Sequence, residues 1–182
     1  AQYVGSADFR ALLQNVSYTI QDTADAVAMQ AKNLTGLNVS IIDTSANVQK
    51  NLDTLQSLAT DGKLKALKFI DGASAKLTMS VDQVRQLGSI VSVPIQLKDT
   101  ATHIQNNFDA LVAFKKISGI ELTDTTKPVL QLSEAQYKKG TSLLTKVTGA
   151  SVTVQFSGNY ADYKIKANAD GSYAVGNAKY KG

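Results

Sequence analysis

The sequence predicts an α/β fold of repeated strand-helix-strand-strand-helix units with mostly parallel pairing, stacked like a solenoid and followed by a C-terminal β-hairpin. Three observations predict it. The first is self-similarity: Ser40 to Leu55 aligns with Gln96 to Leu111 at a shift of 56, and Leu67 to Gln83 aligns with Ile120 to Gln136 at a shift of 53. Internal similarity at a fixed spacing is the mark of a repeat array. The second is that short alternating strands in each copy are followed by apolar residues at helical spacing, an order that favours crossover units and a parallel sheet. The third is a pair of alternating runs around Asn168-Ala169-Asp170-Gly171, an Asx-Gly turn between two short strands.

Each element has a local reason. A strand carrying Val39 and Ile41, or Ile95 and Leu97, ends at Asp43-Thr44 or Asp99-Thr100, a pair that turns the chain and caps a helix. The helix that follows has one apolar face, through Val48, Leu52, Leu55 and Leu58 or Ala59 in the first copy and Ile104, Phe108, Leu111 and Phe114 in the second. Such a face needs a sheet to cover. Strands Leu67 to Ile70 and Ile120 to Thr123 supply one, each closed by a turn at Asp71-Gly72 or Asp124-Thr125 and followed by a short strand at Leu77 to Met79 or Val129 to Leu132. Ser80-x-x-Gln83 and Ser133-x-x-Gln136 then match the capping box, in which side chain and backbone satisfy each other at a helix start.

The next strands begin at Val91 to Leu97 and at Val152 to Phe156. Full units therefore span about 39–91 and 93–150 of an α/β repeat domain covering 1–156, with a hairpin tail at 157–182. A partial unit occupies 1–38, where Ser17 to Ala24 repeats the strand and its Asp-Thr ending. Phe9-Arg10-Ala11-Leu12 is similar to Val84-Arg85-Gln86-Leu87, so the chain reads as starting inside a preceding unit. The tail, ending Tyr180-Lys181-Gly182 without a closing element, reads as the edge of a longer protein.

Composition narrows the chemistry. The chain has 182 residues, no cysteine and one histidine, His103. Thiolate nucleophiles, disulfides and Cys-ligated metals are excluded, and a His-rich metal site has no ligands. No run of about 18 apolar residues is present to span a bilayer, so no membrane insertion is expected. Ala1 to Arg10 has neither the basic start nor the apolar core of a signal peptide. The net charge of +4 comes mostly from lysine, and only Arg10 and Arg85 offer guanidinium forks. With no tryptophan either, nucleic acid is not an expected partner.

The stretch Asp99-Thr100-Ala101-x-x-Ile104-Gln105-x-Asn107-x-Asp109-Ala110-Leu111, with Ile120-x-Leu122-Thr123-Asp124 and Leu130-x-Leu132-Ser133-x-x-Gln136, resembles the Asp-Thr-Ala-Ala-Asn-Ile repeats of large exported bacterial proteins. Those repeats occur in adhesins and in repeats-in-toxin-like proteins that leave by type I secretion. The tail from Tyr160 through Val175 is similar to the strand-turn-strand that often follows them, and the resemblance covers about residues 16–175. It implies an extracellular or cell-surface setting and a non-catalytic structural or interaction module. The partners expected are other copies of the repeat region, cell-surface or matrix components, or polysaccharide. No Gly-Gly-x-Gly-x-Asp nonapeptide is present, so a calcium site is not carried over, and neither metal nor cofactor is expected.

Candidate chemistry is weighed against structural uses. Asp22, Asp43, Asp71, Asp99 and Asp124 at strand ends form a row that could ligate a hard cation, but Thr or Gly follows them, which favours capping and turns. Asp53 and Asp109 recur within helices, and paired carboxylates can serve glycosidic acid–base chemistry. Nothing nearby separates their proton affinities, and a solvated helix face explains them. His103 stands where the other copy has Asn47, which favours a polar structural position over a base. No catalytic residue is expected. Tyr160, Tyr163 and Tyr173 in the tail are the candidate ligand-binding residues, as rings that suit sugars or a protein partner. The competing use is packing of the hairpin onto the last unit. The rival function is an accessory polysaccharide-binding domain of a secreted enzyme.

Overall fold

The computed structural model describes residues 19–33, 37–126, 128–148, 153–156, 165–167 and 173–175. It is a mixed α/β protein with small parallel sheets and, among the described residues, seven α-helices and no closed barrel. The chain forms two compact units. The first runs to Leu77 and takes up Gln86–Pro94; the second takes Thr78–Arg85 and the chain from Ile95 onward. The helix opened by Ser80, grouped with the first copy in the sequence, therefore begins in the second unit.

In the first unit, β1 (Thr19–Asp22), β2 (Asn38–Asp43) and β3 (Leu64–Phe69) form a parallel sheet in that order. Helix α1 (Ala24–Gln30), continued by a 3-10 turn at Ala31–Asn33, connects the first two strands. Helices α2 (Ser45–Lys50) and α3 (Leu52–Thr60) connect the next two. Strictly alternating burial along β2 puts Val39, Ile41 and Asp43 inside, where Val48, Leu52, Leu55 and Leu58 of the helices are also buried. The chain leaves α3 through Gly62 at φ 69°, a left-handed conformation that glycine adopts without a Cβ clash. There Lys63 N–H donates to Leu58 C=O at 2.8 Å and Gly62 N–H to Ala59 C=O at 2.9 Å, satisfying two carbonyls of the last turn.

In the second unit, β4 (Leu77–Met79), which enters it at Thr78, forms one sheet with β5 (Ile95–Asp99), β6 (Ile117–Leu122) and β8 (Val147–Thr148), and β7 (Val129–Leu132) pairs with β9 (Thr153–Phe156) in another. The β5–β6, β6–β8 and β7–β9 pairs are parallel. The helices are α4 (Val81–Leu87), which opens here, α5 (Ala101–Asn106), α6 (Phe108–Leu111) and α7 (Glu134–Leu144). Further along, β10 (Ile165–Ala167) and β11 (Tyr173–Val175) pair antiparallel. The Asn168-to-Gly171 turn expected between them lies outside the described residues.

Detailed contacts recur at the shifts of 56 and 53. A register irregularity between Val39 and Ser40 against β3 is matched by one between Ile95 and Gln96 against β6. Each copy was expected to carry one continuous helix, yet both are broken at an asparagine, Asn51 (φ −107°, ψ 10°) and Asn107 (φ −113°, ψ 11°). In both, the asparagine Nδ2 turns back to the carbonyl four residues earlier, at 2.9 Å on Asn47 and 2.9 Å on His103. That local hydrogen bond competes with the helical pattern, as short amide side chains do.

Side-chain volume is exchanged between copies. Ser40 stands opposite Ala66, whereas at the matching place Gln96 stands opposite Gly119. A Cβ on Gly119 would lie 2.3 Å from Gln96 Oε1, so the longer side chain takes the room left by the missing one. Likewise Leu52 and Leu87 correspond to Phe108 and Gly140. A Cβ on Gly140 would lie 2.2 Å from the Phe108 ring.

Candidate functional site

The strand-end aspartates follow one rule of geometry within each unit. Thr23, Thr44 and Thr100 are the helix N-caps, each hydroxyl accepting the backbone N–H three residues on at 3.2–3.3 Å. The aspartate before each threonine turns one carboxylate oxygen to the threonine N–H: Asp22 at 2.8 Å, Asp43 at 2.7 Å and Asp99 at 2.8 Å. For Asp43 and Asp99 the second oxygen reaches away from its own helix, to the first residue of the helix that follows the neighbouring strand. Asp43 Oδ2 accepts from Ala24 N–H at 2.9 Å and Asp99 Oδ2 from Val81 N–H at 2.9 Å. Asp71 and Asp124 do the same for Ser45 and Ala101, at 2.9 and 2.8 Å.

These are therefore cross-element caps. A carboxylate at a helix start satisfies an N–H that lacks an intrahelical partner and complements the positive end of the helix dipole. Asp43 is buried and accepts a third hydrogen bond from Asn47 Nδ2 at 2.8 Å. The Ser45 hydroxyl hydrogen-bonds Asp71 and holds its carboxyl below the usual range, against the opposing pull of burial and with help from Ser45 N–H. Asp71 Oδ1 is buried with no hydrogen-bond partner. Asp25, on the first turn of α1, is held low chiefly by Asn51 Nδ2 at 2.7 Å and then by Lys50 at 3.3 Å.

His103 does occupy the place of Asn47. Its Nδ1 lies 2.9 Å from Asp99 Oδ2, as Asn47 lies against Asp43, and its Nε2 lies 3.6 Å from Asp82 Oδ1. Asp109 is engaged rather than free: its Oδ2 accepts from Gln136 Nε2 at 2.9 Å, tying α6 to the start of α7. Gln136 at the same time completes the capping box with Ser133, as Gln83 does with Ser80. Gln105 Oε1 accepts Gln131 N–H of β7 at 2.6 Å, a backbone group at a strand edge. The identity of Gln49 with Gln105 and of Asn51 with Asn107 is the sequence signal for these roles.

Among the described residues, no group of three or more His, Asp or Glu side chains is arranged to hold a metal ion. An open groove of about 450 Å³ in the first unit is lined by Lys32, Asp53, Thr54, Ser57, Asp61 and Lys63 over Leu58. It mixes both charge signs, with Lys63 paired to Asp61 at 3.1 Å. Tyr160 and Tyr163 lie outside the described residues. Tyr173 opens β11, where its backbone pairs with Ala167. No helix among the described residues is long and apolar enough to cross a membrane. No protein-family model, curated protein or solved structure matches the chain.

Proposed function

We propose that this chain is a non-catalytic spacing and presentation module of a larger secreted or cell-surface bacterial protein, of adhesin or surface-layer type. The observation that carries the reading is the use of the strand-end carboxylates. Asp43, Asp71, Asp99 and Asp124 each hold the first N–H of another element's helix. Side chains that an active site would keep available are spent joining strands to helices.

In this reading the contacts shared at shifts of 56 and 53 reflect stacked copies of one unit, a solenoid-like array that adds length without needing a closed core. The strands β10 and β11 are then the arms of a hairpin turned at Asn168 to Gly171. The likeness of the Asp-Thr-Ala segments to repeats of type I secreted proteins supports the extracellular placement, and other copies or matrix components are the partners that fit.

Antibody raised against the chain, applied to intact cells that make the parent protein, tests it. Surface labelling without permeabilisation is expected, and labelling only after permeabilisation overturns the exported reading. A glycan array run with the same chain bears on the non-catalytic spacer. No saturable sugar binding is expected. Saturable binding abolished by Tyr163→Ala and Tyr173→Ala would replace the spacer with an accessory polysaccharide-binding domain of a secreted enzyme.

A further inference from the structure

Charge is divided between the two ends of the second unit. In a parallel sheet with crossover helices the strands end where helices begin, so helix N-termini gather at one end and helix C-termini at the other. The aspartates hold the first end, with Asp99 and Asp124 on the N–H groups of Val81 and Ala101. Lysines hold the second. Lys115 and Lys116 lead from α6 into β6, and Lys146 leads from α7 into β8, the strand paired with β6.

The two ends differ in what is left to bind. Among the described side chains every carboxylate has a polar partner, Asp82 having the His103 ring at 3.6 Å. Lys115 and Lys116 are exposed and have neither a hydrogen bond nor an ion pair. Lys146 is half-buried, and its ammonium donates to Ile117 C=O at 2.6 Å, a neutral partner that leaves the charge uncompensated and N–H donors to spare. In the first unit the matching place is quieter: Lys63, which stands for Lys116, pairs with Asp61 at 3.1 Å, and Gly62 stands for Lys115.

The sheet fixes where these lysines stand. Lys116 C=O accepts Ile95 N–H at 2.8 Å, and Lys146 C=O accepts Ile120 N–H at 2.7 Å. The negative end of a helix dipole favours lysine here. Yet none of the three ammoniums donates to a helix carbonyl, so capping does not use them.

We propose that Lys115, Lys116 and Lys146, at the entries of β6 and β8, dock a linear polymer of phosphate groups. The chemistry chooses among polyanions. An ammonium is a compact point charge that suits a tetrahedral phosphate, whereas planar carboxylates are best matched by a guanidinium fork. No arginine stands on β6, β8 or the turns that lead into them. A nucleic acid would add base stacking, which needs an open ring, and Phe114, the ring adjoining the cluster in sequence, is half-buried. A second copy of this chain would have to offer carboxylates, and the described ones already have partners. The docking adds a partner to the spacer reading and rests on it only for the cell-surface setting, since binding in solution does not depend on where the parent protein resides.

Binding of long-chain inorganic polyphosphate to the whole chain is to be followed by calorimetric titration at about 50 and 200 mM salt. Three ammonium contacts should weaken affinity about 20-fold between the two, because each phosphate neutralised on a flexible strand contributes about 0.7 to the salt exponent. Lys115→Gln with Lys116→Gln changes two exposed side chains that have no contacts to lose. That pair should fold, bind about tenfold more weakly at the lower salt and reduce the exponent by about 1–1.5. Lys68→Gln with Lys98→Gln removes the same charge late in β3 and β5, and should change affinity by less than about twofold. Absence of saturable binding at the lower salt, equal losses in the two variant pairs, or tighter binding of single-stranded DNA or polyglutamate of matched charge overturns the proposal.

Discussion

Asp43 shows how much one buried carboxylate can hold together. It is 4% exposed and accepts from Thr44 N–H, Asn47 Nδ2 and Ala24 N–H, three donors on β2's own exit, α2 and α1. Removing it leaves those donors short of a partner, and hydrogen bonds to a charged group are worth more than neutral ones. Asp43→Ala should cost about 2–4 kcal/mol, read from the shift of the urea midpoint at unchanged slope. Asp71 gives a pH signature instead. Its carboxyl is held low by the Ser45 hydroxyl, so the folded form binds the proton less tightly than the unfolded one. That contribution is present above the unfolded carboxylate value of about 4 and is lost as pH falls through the lower folded value. The stability difference between the natural chain and Ser45→Ala should therefore shrink between about pH 5 and pH 2.5 in urea titrations. A difference that stays constant over that range would remove Asp71 from the account.

At the scale of elements, the exchange of volume between Leu52 with Leu87 and Phe108 with Gly140 makes a quantitative prediction. An alanine in place of glycine ordinarily favours a helix by about 1 kcal/mol. At position 140 the added Cβ would lie 2.2 Å from Phe108 Cε1 and Cζ, and overpacking of this kind costs about 1–3 kcal/mol. Gly140→Ala should be destabilising overall, and Phe108→Leu should recover much of the loss, with a coupling energy of about 1 kcal/mol or more in a double-mutant cycle. Additive effects would show that the ring and the helix do not share that space. The same elements show where sequence was readable. The N-cap threonines and both capping boxes are local patterns within four residues, and they lie where the spacing of Asp-Thr and Ser-x-x-Gln puts them. The helix breaks at Asn51 and Asn107 escape a periodicity argument, because the apolar stripe continues across them through Leu52 and Phe108. The reach of the aspartates escapes it for another reason. Those bonds join residues 18 to 26 positions apart, and only strand order and register bring such positions together.

For the molecule as a whole, the strand-end carboxylates of each unit make a prediction about calcium. A calcium site takes six to eight oxygen ligands, usually several carboxylates converging on one point. Here Asp43, Asp71, Asp99 and Asp124 each commit one oxygen to a helix N–H at 2.8–2.9 Å. Asp43 and Asp99 commit the other to the next threonine. A cation binding at either unit's strand ends would have to displace caps that hold strands to helices, losing satisfied backbone donors for each carboxylate gained. A ligand that binds only the folded state raises stability in proportion to the logarithm of its concentration over its dissociation constant. Asp71 Oδ1 is buried without a hydrogen-bond partner, but one such oxygen falls far short of the six to eight a calcium ion takes, so that linkage should be absent. Thermal melts in EDTA and in millimolar calcium should agree within about 3 °C, since a 1 kcal/mol effect would move the midpoint of a chain this size by about 2–4 °C. An upward shift of about 10 °C or more would mean that the aspartates exchange their backbone partners for the ion. The strand ends would then be calcium sites closed by capping only when the metal is removed.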